Sequence, residues 1–112
     1  MITTHVLDTF KGTPGMGIDV HLRQVQEDGK WLELGQEITD SDGRVKVFGD
    51  GSGVDRTGSY HLVFETKDYF GRLNQDTFYH EIVIEFYIDD IERDYHIPLL
   101  LNPYGYTTYR GS

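Results

Sequence analysis

The stretch Ile18-Asp19-Val20-His21-Leu22-Arg23-Gln24-Val25-Gln26-Glu27-Asp28-Gly29-Lys30-Trp31-Leu32-Glu33-Leu34 reads as two strands folded back on each other. Ile18, Val20 and Leu22 face one way and Asp19, His21 and Arg23 the other, the period-two pattern of a half-buried strand. Asp28-Gly29 supplies the tight turn, with the glycine at positive φ. The same alternation recurs in Tyr60, Leu62 and Phe64 against His61, Val63 and Glu65, and in Ile82, Ile84, Phe86 and Ile88 against Val83, Glu85, Tyr87 and Asp89. Asp42-Gly43 marks a second tight turn. Working outward gives about eight short strands, near 3–8, 18–26, 31–37, 44–48, 59–65, 81–89, 94–101 and 105–110, spaced as in an antiparallel β-sandwich. The expected fold class is all-β, with one short helix from Thr66, as N-cap, to about Asn74. Gly49–Gly58, rich in glycine and without period, reads as a mobile surface loop.

The chain has 112 residues, which suits a single domain over 1–112 with one core. Nineteen acidic side chains against ten basic give a net charge of −9, and no basic stripe is visible. That argues against a nucleic-acid partner, whose phosphates need such a stripe. With no cysteine there is neither a disulfide framework nor a thiolate nucleophile or metal site. Met1-Ile2-Thr3-Thr4-His5 lacks the basic and apolar regions of a signal peptide. No segment has the length and apolarity of a membrane span. The expectation is a soluble cytoplasmic protein with no membrane partner.

Five histidines are present, in unlike settings. His96 lies in Tyr95-His96-Ile97-Pro98-Leu99, opposite the apolar face, and Pro98 confines that strand to an edge or to a place where its nitrogen has no ladder partner. His5 sits in the opening strand between Thr4 and Val6. Taken singly, each is a surface or satisfied core histidine; His21, His61 and His80 have nothing to raise them above that. Arg44, after the Asp42-Gly43 turn, and Arg110, near the C-terminus, would singly be solvated. The acidic run Asp89-Asp90-Ile91-Glu92-Arg93-Asp94 lacks the ligand spacing of a calcium loop. There is neither a zinc-binding His pair flanking a Glu nor a serine nucleophile elbow. The end Tyr109-Arg110-Gly111-Ser112 carries a guanidinium, a hydroxyl and a free carboxylate, groups better suited to a polar pocket than to a frayed tail.

Several motifs together go further. Thr4-His5-Val6-Leu7-Asp8, Gly12-Thr13-Pro14-Gly15, Thr39-Asp40-Ser41-Asp42-Gly43-Arg44, Tyr95–Leu101 and Tyr104–Ser112 resemble, over essentially the whole chain, the 5-hydroxyisourate hydrolases, the transthyretin-related enzymes of purine breakdown. Asn102 and Thr107 stand where that family often has serine, and both remain polar. The resemblance implies a transthyretin-like sandwich that opens 5-hydroxyisourate to 2-oxo-4-hydroxy-4-carboxy-5-ureidoimidazoline. It implies catalytic His5, Arg44 and His96, and substrate-binding Tyr109, Arg110, Gly111 and Ser112. The two imidazoles suit water activation and proton delivery, in an order the sequence leaves open, and Arg44 suits the oxyanion. Direct attack by water is implied, with no metal and no cofactor, in a homotetramer whose sites lie in the cleft between dimers. The rival readings are a transthyretin-type carrier of small ligands, which lacks the site histidines and terminal tetrapeptide, and a plain adhesion module.

Overall fold

The computed structural model describes residues 1–51 and 53–112. Its elements are β1 (Ile2–Asp8), β2 (Thr13–Pro14), β3 (Asp19–Val25), β4 (Trp31–Ile38), β5 (Arg44–Val45), β6 (Gly58–Phe64), α1 (Thr66–Arg72), β7 (Ile82–Ile88), β8 (Tyr95–Asn102) and β9 (Gly105–Thr108). They form two sheets. One is five-stranded, in the order β2-β1-β8-β9 with β5 paired to β1; the other is four-stranded, in the order β4-β3-β6-β7. The alternation read from the sequence faces the sheets toward each other: Ile2 and Val6 of β1, Val20 and Leu22 of β3, Tyr60 and Leu62 of β6, and Ile97, Leu99 and Leu101 of β8 are all buried. Each such side chain is worth about 1.5–3 kcal/mol when removed from water, so the two inner faces hold the sandwich shut.

Buried polar groups are satisfied where they fall between the sheets. The Thr4 hydroxyl donates to the Ile97 carbonyl at 2.6 Å and ties β1 to β8. Asp8, fully buried, accepts from the amides of Phe10 and Lys11 at 3.0 and 3.1 Å and from the Tyr69 hydroxyl at 2.6 Å. Burial and that carboxylate push the Tyr69 phenol well above its ordinary range, so it stays a donor. One helix residue thereby anchors the end of β1.

Several expectations are corrected. The sandwich is antiparallel except at its centre, where β1 and β8 run parallel in the register Thr3↔His96, Thr4↔Ile97, His5↔Pro98. Strand β8 is therefore interior and not an edge; Pro98, which has no N–H to donate, falls where the regular β8–β9 pairing stops after Leu99↔Thr108, ahead of the isolated His96↔Gly111 bridge. The 44–48 strand shrinks to Arg44–Val45, and the last strand stops at Thr108, with Gly111 meeting His96 in an isolated bridge. Thr13–Pro14 forms a further short strand. Thr66 does not cap α1; Glu65 occupies that place without a side-chain cap, while the Thr66 hydroxyl donates to the Tyr79 carbonyl at 2.8 Å. The helix ends at Arg72, and Asn74 takes φ +54°. Ser52 of the 49–58 loop lies outside the described residues. Around it, the Gln24 amide donates to Asp55 at 3.0 Å and the Tyr60 hydroxyl to the Arg56 carbonyl at 2.6 Å, so the loop is tied to the sheet.

The Asp40–Arg44 turn sets the start of β5. Asp40 accepts from the amides of Asp42 and Arg44 at 2.9 and 3.0 Å, and these bonds, with that from Arg44 the larger influence, hold its carboxyl below the usual range. Gly43 has φ +76°, and a Cβ there would lie 2.4 Å from the Val6 carbonyl oxygen. Replacing Gly43 with Ala is expected to cost at least about 1–3 kcal/mol through strain and collision. Urea denaturation checks this; a midpoint equal to that of the parent protein would contradict it.

Candidate active site

The outer face of the five-stranded sheet gathers the polar residues that the inner face excludes. On β1 the buried residues are Ile2, Thr4, Val6 and Asp8, so Thr3 and His5 turn outward. On β8 the buried Tyr95 and Ile97 leave His96 on the same outward side. Strand β1 is flanked twice: His5 pairs with Pro98 of β8 on one side and with Arg44 of β5 on the other. Neighbouring strands lie roughly 5 Å apart, so this register alone sets the His5, Arg44 and His96 side chains around one small area.

An open cleft of about 560 Å³ lies over that area, lined by Thr3, His5, Arg44, His96 and Pro98 from the sheet and by Tyr109, Gly111 and Ser112 from the chain end. After β9 the chain continues beside β8 in the same antiparallel register, with Gly111 opposite His96. The Gly111 amide donates to the His96 carbonyl at 2.8 Å. A Cβ on Gly111 would stand 2.5 Å from His96 Cδ2, so only glycine lets the chain pass this close to the imidazole. The chain end thus forms a wall of the cleft. The other side of the His96 ring is held from β1, with Thr3 Oγ1 2.8 Å from Nδ1.

Burial, then the Arg44 charge, then His5 hold the His96 imidazole below its ordinary pKa, so it is neutral at physiological pH. Arg44 brings a fixed cation with forked donors to the same cleft, which suits a carbonyl oxygen or a developing oxyanion. Among the described residues no three His, Asp or Glu side chains come together as a metal cage. The cleft thus holds two imidazoles and a guanidinium, with Asp94 and the Met1 ammonium, paired at 3.3 Å, also in its lining.

Six of the seven residues expected from the sequence line this cleft. Arg110 does not: its guanidinium lies 5.1 Å from the centre of the Tyr95 ring, in an adjoining groove of about 340 Å³ that shares His96 and Tyr109 with the cleft and is bordered by Ile84, Phe86 and Tyr87 of β7. That groove is largely apolar, whereas the polar groups converge in the other cleft. His21 and His61 stand on the opposite sheet, paired with Glu33 at 2.6 Å and Glu85 at 2.8 Å. His80 is exposed ahead of β7. Thr3 and Pro98 were not expected in the site from the sequence, because their place there follows from a parallel pairing between segments some ninety positions apart.

Comparisons with known proteins bear on the family and the fold. The model of the HIUase/Transthyretin family matches residues 2–111. A 5-hydroxyisourate hydrolase of Salmonella typhimurium is 41% identical over 112 residues, covering 100% of this chain and 81% of that protein. The structure of Klebsiella pneumoniae 5-hydroxyisourate hydrolase superposes with a TM-score of 0.82 at 33% identity, covering 99% and 98% of the two chains. Sea bream transthyretin in complex with thyroxine superposes with a TM-score of 0.90 at 27% identity, covering 98% and 93%. Backbone shape therefore does not separate the two branches, and it is the side chains of the cleft that must do so. From the nearly complete match and the extent of these similarities, the chain belongs to the HIUase/Transthyretin family.

Proposed function

We propose that this protein is a 5-hydroxyisourate hydrolase, a single domain over residues 1–112 that opens a cyclic amide with water to give 2-oxo-4-hydroxy-4-carboxy-5-ureidoimidazoline. The observation that carries the reading is the convergence of His5, Arg44 and His96 beneath the chain end on one sheet face. The sequence similarity to 5-hydroxyisourate hydrolases supports the same substrate.

Amide opening needs an activated water, stabilisation of the oxyanion, and a proton for the departing nitrogen. The two imidazoles serve the proton transfers, since an imidazole changes charge near neutral pH. Arg44 holds the substrate carbonyl and stabilises the charge that grows on its oxygen. Tyr109, Gly111 and Ser112 close the pocket and hold the planar substrate. Arg110 belongs to the same substrate-binding segment, and in the single chain it acts from the other side of Tyr109. Water attacks directly, without a covalent intermediate, metal or organic cofactor. A ligand carrier is the second reading, favoured by the close superposition on transthyretin; it gives binding in the cleft without turnover.

The enzyme works as a homotetramer in the cytoplasm. Strands β7 and β9 end their sheets with open edges that carry the exposed Tyr87 and Tyr106, and an open edge is a template for a second copy. No helix among the described residues is long and apolar enough to cross a membrane.

Three outcomes are expected. His5→Ala, Arg44→Ala and His96→Ala each lose about 10²- to 10⁴-fold in kcat/KM on 5-hydroxyisourate while keeping their circular dichroism, whereas His21→Ala and His61→Ala do not. In the parent, the share of the acid-side loss that belongs to His96 falls below pH 6.5, because its pKa is lowered and the neutral form persists to more acidic solution. A near-normal rate in any of the first three variants removes that residue from the site. On sedimentation at micromolar concentration the active protein runs as a tetramer, and a fully active monomer contradicts the assembly.

A further inference from the structure

The two site imidazoles are not held alike. His96 Nδ1 lies 2.8 Å from the Thr3 hydroxyl oxygen, and its ring edge is boxed by Gly111. His5 makes no side-chain hydrogen bond among the described residues, although it lies next to Arg44 and Pro98 in the register. A base that takes a proton from water needs one bare nitrogen facing the water. It also needs a partner for its other nitrogen, which must keep an N–H throughout. Among the described residues, of the two imidazoles only that of His96 has such a partner.

We propose that Thr3 is a positioning residue whose hydroxyl oxygen accepts the Nδ1 proton of His96, leaving Nε2 bare toward the cleft so that His96 is the base that activates water. The proposal rests on the hydrolase reading above and adds to it a division of labour: His96 takes the proton from water, and His5 delivers one to the departing nitrogen. The pairing is built into the backbone, because Thr3 and His96 are opposite partners in the parallel β1–β8 ladder and both turn outward. Adjacent partners on one face keep their side chains close without a loop to order. The Thr3 hydroxyl retains its own hydrogen for solvent, so the same contact serves the neutral ring and the imidazolium that forms when water is deprotonated. Burial, Arg44 and His5 together favour the uncharged ring, the form that a base needs at the start of a cycle. A carboxylate in the place of Thr3 would instead favour the charged ring at rest. A hydroxyl orients the ring without adding a charge.

The test compares Thr3→Val, which keeps the branched shape and removes the hydroxyl, with Thr3→Ser, which keeps the hydroxyl. Long-range proton–nitrogen correlation spectra of the intact parent protein above pH 7 should show His96 with Nδ1 protonated and Nε2 bare. Thr3→Val should lose that single tautomer and fall about tenfold in kcat with KM little changed, the scale of one neutral hydrogen bond. The acid limb of its pH profile should also move, whereas Thr3→Ser should restore the parent spectrum and rate. A parent spectrum with the proton on Nε2 overturns the proposal, as does a Thr3→Val protein with unchanged spectrum and kcat. The parent spectrum decides the tautomer even where Thr3→Val fails to fold. It also needs no turnover, so a protein with the expected tautomer but no hydrolysis would sink the hydrolase reading and leave the placement of Thr3 intact.

Discussion

Everything in the cleft depends on the parallel pairing of β1 with β8. Seven residue pairs, from Ile2↔Tyr95 to Asp8↔Leu101, lock the two strands in one register. Side chains in a strand alternate faces, so a slip of one residue would bury Thr3 and His5 and turn Thr4 and Val6 to solvent. The apolar inner face forbids that slip. Burial of Val6, Ile97, Leu99 and Leu101 therefore fixes the position of His96 relative to Thr3 and His5, although none of these apolar residues touches the chemistry directly. Polar contacts reinforce the register from within: Thr4 reaches across to the Ile97 carbonyl, and Asp8 is gripped by Tyr69 from the helix. The short helix is thus part of the support of the site, at the far end of the strand that carries His5.

The same strand meets β5 on its other side, which brings Arg44 to His5 through only two residues of pairing. Such a short strand has little cohesion of its own. Its position comes from the turn before it, where Asp40 accepts the Arg44 amide and Gly43 closes against the Val6 carbonyl with its own carbonyl accepting from the Val6 amide at 2.7 Å. A local turn thus compensates for a weak ladder. The chain end follows a similar logic, since Gly111 docks on the His96 backbone and lies against the ring that it shields.

Much of this was legible in the sequence, and what was not has definite physical causes. Alternating hydrophobicity located the long strands because one face of each is buried, and Asp-Gly pairs located the turns because Gly29 and Gly43 both need positive φ. Periodicity says nothing of which strand lies beside which, so the parallel β1–β8 pair, the interior place of Pro98 and the Thr3–His96 contact were out of reach. Thr66 looked like a cap by residue type, but tertiary contact with Tyr79 claimed its hydroxyl. The grouping of His5, Arg44 and His96 came from motif resemblance, and the register supplies its geometry. The direction of Arg110 follows from the same pairing: the chain end keeps the β9 register along β8, so Tyr109 and Gly111 face the cleft and Arg110 between them turns to the other face, toward Tyr95.

Function in this family is decided by a handful of side chains on a shared backbone, since the chain superposes as well on a thyroxine-bound transthyretin as on a 5-hydroxyisourate hydrolase. Catalytic groups in the cleft mean turnover, and a carrier cleft means binding alone. The most direct measurement mixes the purified protein with freshly generated 5-hydroxyisourate and follows its ultraviolet absorbance against the spontaneous decay in buffer. The account predicts loss that accelerates in proportion to protein concentration, with the ureidoimidazoline as product. Decay no faster than in buffer, from a folded protein, would contradict it.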